Sequence, residues 1–305
     1  MITKKTRLSK ADLQILSRKN ILRPILDVFL DWSIIGLCMY MSFVSENIFI
    51  YFLSALIIGN KQHALAILGH EGSHFTLFAS KKWNDLFSNI FLFFPLGLSV
   101  TGYRNLHSQH HRHMNTSQDP ELMHRSSRAP QWDLPITLRK LARLAVYDIF
   151  GYSLVDFIMI VKFSKPDHKR TYLEIIAFHV VFITTFLLLG LWSLIALWYA
   201  SLITSFMMYF RLRTWLEHQG TEGTHKTHLS YIERALLSPH NAWYHYEHHT
   251  WPSVPYYNLP HLREIIDDEP TIPLKELFAS FRFIQPIKSG QPLKNLQLNK
   301  ETNHA

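Results

Sequence analysis

Histidine is the residue that organises this sequence. There are 19 of them in 305 residues, and three groups have spacings that suit metal chemistry. The first is His70-Glu71-Gly72-Ser73-His74. The second and third are His107-Ser108-Gln109-His110-His111 and His245-Tyr246-Glu247-His248-His249, both H-x-x-H-H. Residues three and four apart share one face of a helix, so each group can aim two or three imidazoles at one point. His218, at the end of Arg211-Leu-Arg-Thr-Trp-Leu-Glu-His218, adds one more. One ion takes three to six ligands, so eight or nine neutral imidazoles brought together imply two ions with open coordination positions.

Simpler readings apply to the rest. His63, His113, His124, His168, His179, His225, His228, His240 and His261 stand alone, and a lone histidine is more often a surface or satisfied core residue than a ligand; His113 and His261 are the nearest to exceptions. The first group also matches H-E-x-x-H, the zinc-hydrolase helix in which glutamate is the general base. A membrane metalloprotease built on it would leave the two H-x-x-H-H groups idle. The single cysteine, Cys38, excludes an intramolecular disulfide and a thiolate-held iron–sulfur cluster.

The elements that must position these groups are membrane helices. The composition is 48% hydrophobic and 14% aromatic, and no Lys or Arg occurs in residues 24–60 or 171–210. Each window holds two spans of about 20 residues. The expectation is an all-α integral membrane protein with four transmembrane helices in two hairpins, at about 25–44, 48–68, 172–190 and 191–210. Its turns fall near Ser45-Glu46-Asn47 and Gly190-Leu191. A histidine-rich cap over 69–165 and 211–290 completes one domain spanning 1–305, with a frayed tail after about Lys288. The runs Trp83–Val100 and Tyr147–Val161 carry too many polar residues, or are too short, to cross, and read as interfacial or re-entrant helices. Lys4, Lys5, Arg7, Lys10, Arg18, Lys19 and Arg23 put the N-terminus in the cytoplasm, and two hairpins return the histidine groups and the C-terminus to that side. The net charge of +8 is then a positive-inside signature, with no nucleic-acid partner implied. Arg211 and Arg213, on that flank, are candidates to hold an anionic head group or a donor protein.

Three histidine boxes in this order resemble the membrane fatty acid desaturase and hydroxylase superfamily, from about Leu26 to Leu262. The run His245-Tyr-Glu-His-His-Thr-Trp-Pro-Ser-Val-Pro, followed by Leu259-Pro-His-Leu, looks like its bacterial branch. The resemblance implies two iron ions held by His70, His74, His107, His110, His111, His218, His245, His248 and His249. Dioxygen is the implied co-substrate and a fatty acyl lipid in the membrane the implied substrate, with a double bond as product. Hydroxylases and ketolases of lipids or carotenoids, and alkene-forming fatty acid decarboxylases, share the boxes. Glu71 stands where many relatives have Asp, and it, Glu217 and Glu247 are candidates to orient ligand rings. Asn241 stands where some relatives have an Asn near the metal, and a helix cap is the alternative. No nucleotide-binding or haem signature is present, so a separate donor such as a ferredoxin is implied, with the bacterial inner membrane as the expected location.

Overall fold

The computed structural model describes residues 8–128, 130–166, 168–266 and 270–284; the expected frayed tail, the end of the cap and Lys4, Lys5 and Arg7 lie outside them. Helix α1 (Lys10–Leu16) is N-capped by Ser9, whose hydroxyl accepts from the Asp12 N–H. It leads into the antiparallel pair α2 (Leu22–Ser45) and α3 (Ile48–Ser73), of 24 and 26 residues. At ~1.5 Å per residue either crosses ~30 Å of hydrocarbon. Their turn lies at Glu46, in the left-handed region at φ 48°, and Asn47, whose side chain accepts from Phe49 N at 2.8 Å and caps α3.

Helix α3 runs past residue 68 and carries His70 within it, with His74 at its C-cap. Polarity does not end the helix because Asn60, Gln62, His63, His70 and Glu71 are all buried against other helices and away from lipid. It is the central strut. Gly59 lets it approach the fourth span closely: a Cβ there would lie 2.0 Å from Ser205 Oγ, and that hydroxyl donates to Ala55 O at 2.6 Å.

The two polar apolar runs form bent pairs. Helix α4 (Lys81–Ser88) passes through a wide turn, Asn89–Phe93, and a tight one, Phe94–Leu96, before α5 (Val100–His113), a bend of 88°. Pro95 and Gly97 at φ 75° set the reversal, and Asn89 Oδ1 accepts from Val100 N at 2.8 Å. After α6 (Pro120–Ser127), helices α7 (Leu138–Ile149) and α8 (Leu154–Phe163) meet at 79°. Each pair is apolar enough to count as one broken span and bent sharply enough to re-enter on one side, so the bend alone does not separate the two readings.

Helix α9 (Lys169–Leu188) turns at Gly190 into α10 (Trp192–Ile203) and α11 (Ser205–His218), which are separated only by a kink at Thr204. Together these last two span 27 residues, well beyond 210, because the lower half packs on α3 and α7 and no longer needs lipid-compatible residues. His218 thus rides on the fourth span itself. Short helices α12 (Tyr231–Leu237), α13 (His245–Thr250), α14 (Leu259–Ile266) and α15 (Leu274–Ser280) close the cap. Strands β1 (Thr227–His228) and β2 (Ile272–Pro273) pair in parallel. Arg211 and Arg213 are inside the protein. Arg211 is 1% exposed and donates to Asp148 and to Ser153 Oγ, tying α11 to the α7–α8 pair. Arg213 donates to Glu217 at 2.6 Å. Neither offers a cationic surface to a head group or a donor.

Candidate metal centre

Four elements bring the histidines together. The end of α3 supplies His70 and His74, and α5 supplies His107, His110 and His111. The short α13 supplies His245, His248 and His249, and α11 ends on His218. The nitrogens of His70, His74, His107, His111 and His248 all lie within 4.8 Å of one another, and so do those of His110, His218 and His249. His245 joins the second set, its Nε2 2.8 Å from that of His218 and 3.0 Å from that of His249. The two sets touch where the rings of His111 and His249 stack at 4.1 Å. Among the described residues none of the nine lone histidines joins either set. His124 meets Asp156 at 3.0 Å, His240 meets Asp31 at 2.7 Å, and His261 sits at the surface beside Glu264.

Carboxylates set the orientation of several rings. His110 Nδ1 faces both oxygens of Asp119 at 3.0 Å. Asp119 also accepts from the backbone N–H of Asn115 and Glu121, each at 2.9 Å, and so caps α6. Glu71 lies between His70 and His248, 3.6 and 3.7 Å from their Nδ1 atoms, while accepting from Thr76 Oγ1 and Tyr256 N. Glu217 stands 3.4 Å from His245 Nδ1. Glu247 is held elsewhere: Arg263 grips both its oxygens, one at 2.7 Å, which turns it away from the orienting role expected of it. Asn241 lines a water-sized space beside His70, His245 and His248, donating to Tyr256 O at 3.2 Å. It is not a helix cap; the N-cap of α13 is Tyr244, which gives no side-chain cap bond.

Asp119 is the residue that motif reasoning does not find. An Asp-Pro N-cap directly after box two is legible, but its partnership with His110 depends on how the loop folds back.

The charge states suit metal binding. Burial pushes the His74 imidazole down to about 3, with His111 and Arg104 adding to the effect. Burial also holds His245, His248 and His249 far below the ordinary histidine range. These rings are neutral at pH 7, the form that ligates. Burial opposes ionisation of Asp119, but its bonds to His110 and Asn115 and the nearby charges win and hold its carboxyl below the usual range.

The donor set fits a metal. The buried Nε2 atoms of His70, His74, His110 and His248 have no protein partner. An orphaned buried nitrogen costs about 1–3 kcal/mol, and several converging on two points are reconciled by cations there. All-imidazole donors suit iron among other mid-series divalent ions.

An all-α membrane protein with a cluster of nine imidazoles, six of them buried and three half-buried, defines a narrow class. The sequence matches the fatty acid desaturase family over residues 46–274, and the chain belongs to that family. A dihydrorhizobitoxine desaturase of Bradyrhizobium elkanii is 23% identical over 79% of this chain and 74% of its own length. A sphingolipid delta(4)-desaturase/C4-monooxygenase of Mus musculus is 27% identical over 81% and 76%. A sphingolipid delta(4)-desaturase of Rattus norvegicus is 29% identical over 68% and 62%. The protein is an integral membrane oxidoreductase of the lipid desaturase and hydroxylase type.

Proposed function

We propose that the chain is a dioxygen-dependent di-iron desaturase of a lipid acyl chain. One iron is held among His70, His74, His107, His111 and His248, and the other among His110, His218, His245 and His249. The carrying observation is the convergence of nine imidazoles, six of them buried and three half-buried, into two touching sets in which the Nε2 atoms of His70, His74, His110 and His248 lack protein partners. Bound there, two irons given two electrons and dioxygen supply an oxidant able to take hydrogen from an unactivated methylene.

The protein's own groups then have defined tasks. Asp119 accepts the Nδ1 proton of His110 and leaves its Nε2 free to ligate. Glu217 does the same for His245 at longer range, and Glu71 holds apart and orients His70 and His248. His110 is fully buried at the centre, and His70, His107, His218, His245 and His248 are nearly so. The substrate is a membrane lipid entering beside the helices, and a separate ferredoxin-like protein supplies electrons. The histidine end of the helices faces the cytoplasm of a bacterial inner membrane, in keeping with the absence of Lys and Arg from both opposite turns.

Hydroxylation is the second outcome, favoured by a relative whose name pairs desaturase with C4-monooxygenase; ketolases and alkene-forming decarboxylases share the centre. A zinc protease is disfavoured because Glu71, its would-be base, is engaged by Thr76 and Tyr256 and three further histidines, His107, His111 and His248, join the two of the first box. Elemental analysis of purified protein, with lipid profiling of cells that express it, tests the reading. Two irons per chain and a new unsaturated lipid support it; one zinc and unchanged lipids overturn it.

A further inference from the structure

Next to the histidines lies a second cavity that the metal centre does not use. It is about 60 Å³, which by the ~10–15 Å³ each water-sized group needs gives room for roughly four to six such groups. Its walls are largely apolar, formed by Leu106, Ile160, Phe163 and Phe210. Tyr103 forms one end and stacks on the ring of His107 at 5.3 Å, so the cavity is one aromatic ring away from a box-two histidine.

The polar residues on its wall, Glu121 and Thr214 among them, are inconsistent with a purely apolar occupant. Trp132, Arg125 and His124 are 5%, 3% and 8% exposed. Trp132 Nε1, Arg125 Nε and His124 Nδ1 are all buried without a hydrogen-bond partner. Buried polar groups are nearly always satisfied, and one cavity wall carrying the orphaned donors of Trp132 and Arg125 indicates an acceptor that belongs there. Charge narrows the choice. Arg125 already has Glu121 at 3.8 Å and donates to Asn115 Oδ1 at 3.2 Å, and His124 faces Asp156 at 3.0 Å. The positive charge is answered from within the protein, so the site has no unmatched cation for a carboxylate or phosphate.

We propose that this cavity receives the uncharged polar end of the substrate lipid, a carbonyl or hydroxyl oxygen that accepts from Trp132 and Arg125. The proposal rests on the desaturase reading and deepens it. With the polar oxygen seated here and the histidines just beyond Tyr103, the methylenes presented for attack are those a few carbons from the head group, not those in mid-chain. A cavity of this size holds the head and the first carbons only; the remaining chain lies outside it.

The test is lipid binding to the full-length protein in nanodiscs, measured with hexadecanamide, hexadecan-1-ol, palmitate and hexadecane. The amide or the alcohol is expected to bind at least tenfold more tightly than hexadecane and more tightly than palmitate, and whichever of the two leads names the acceptor as carbonyl or hydroxyl. Trp132→Phe, which keeps the ring and removes the donor, is expected to weaken binding of the preferred probe roughly tenfold while leaving hexadecane binding and iron content unchanged. Equal binding of all four probes, tightest binding of palmitate, or wild-type binding by Trp132→Phe would overturn the proposal. Should that variant not fold, a head-group diazirine on the preferred probe decides in the wild-type protein. Labels at Leu106, Arg125 or Trp132 support the assignment, and labels confined to α9 overturn it. Iron content and lipid oxidation are read separately, so a protein that binds as described but oxidises nothing would sink the desaturase reading and leave the cavity assignment standing.

Discussion

The histidines of boxes one and two and those of box three reach the same centre by different physical means. Boxes one and two sit on helices of 26 and 14 residues, whose directions are set by packing along the bundle. Box three sits on a helix of six residues, far below the length at which a helix holds itself in water. What holds α13 is polar: Arg263 on the buried Glu247, Glu217 beside His245, and Glu71 bridging to Tyr256 N. One half of the centre is placed by helix geometry and the other by carboxylates, so damage to the carboxylates should fall unevenly on it.

The largest effect should erase that difference. His107→Ala and His248→Ala, one from each half, are both expected to abolish lipid oxidation while membrane insertion is retained, because each removes a ligand and no span. Activity near the wild-type level in either, measured by lipid profiling, would remove that residue from the ligand set. Arg263→Met should expose the contrast. It leaves a fully buried carboxylate unpaired, at a cost of about 3–5 kcal/mol, and is expected to lower the melting temperature and loosen box three, with proteolysis beginning around residues 245–263. If cleavage instead began in α3 or α5, the polar tether would not be what holds the cap.

Asp119→Asn sharpens the comparison further. Loss of a partner that orients a ligand typically lowers metal affinity about 10- to 100-fold, and His110 belongs to only one histidine set. Iron titration should show one site weakened and the other unchanged; parallel loss of both would show that the sets are not independent. The smallest effect concerns pH in metal-stripped protein. Burial keeps His74, His245, His248 and His249 neutral in the fold, whereas the unfolded chain takes up protons near pH 6.5. The unfolded state therefore binds more protons between pH 6.5 and the depressed native values, and stability rises with pH across that window. At pH 6 each such histidine subtracts under about 1 kcal/mol. Melting of the apoprotein should drop from pH 7.5 to 6, and an unchanged melting temperature would contradict neutral burial.

Much of this was legible in the chain itself. The cation-free windows locate both hairpins and their turns because the membrane imposes one rule on every residue that touches it. The nine histidines stand out because spacing on a helix is a local property. Long-range pairings are not legible in this way. Asp119 faces His110 only because the loop after α5 reverses at Asn115, which is in the left-handed region at φ 55°. Glu247 and Arg263 are 16 residues apart, and no periodicity predicts that they pair. The second and fourth spans run longer than their hydrophobicity suggests because hydropathy registers lipid, and the lower ends of α3 and α11 are surrounded by protein.

The turns at the end of the bundle away from the histidines are only two or three residues long, Glu46–Asn47 and 189–191. Among the described residues these two turns present little polypeptide on that face for a protease, a glycan or a soluble partner to engage. With the proposed oxidising centre at the opposite boundary, its chemistry would be confined to the leaflet on the histidine side. A product made there reaches the other leaflet only by transbilayer movement of the lipid itself, and the asymmetry of the protein becomes an asymmetry of the membrane it modifies.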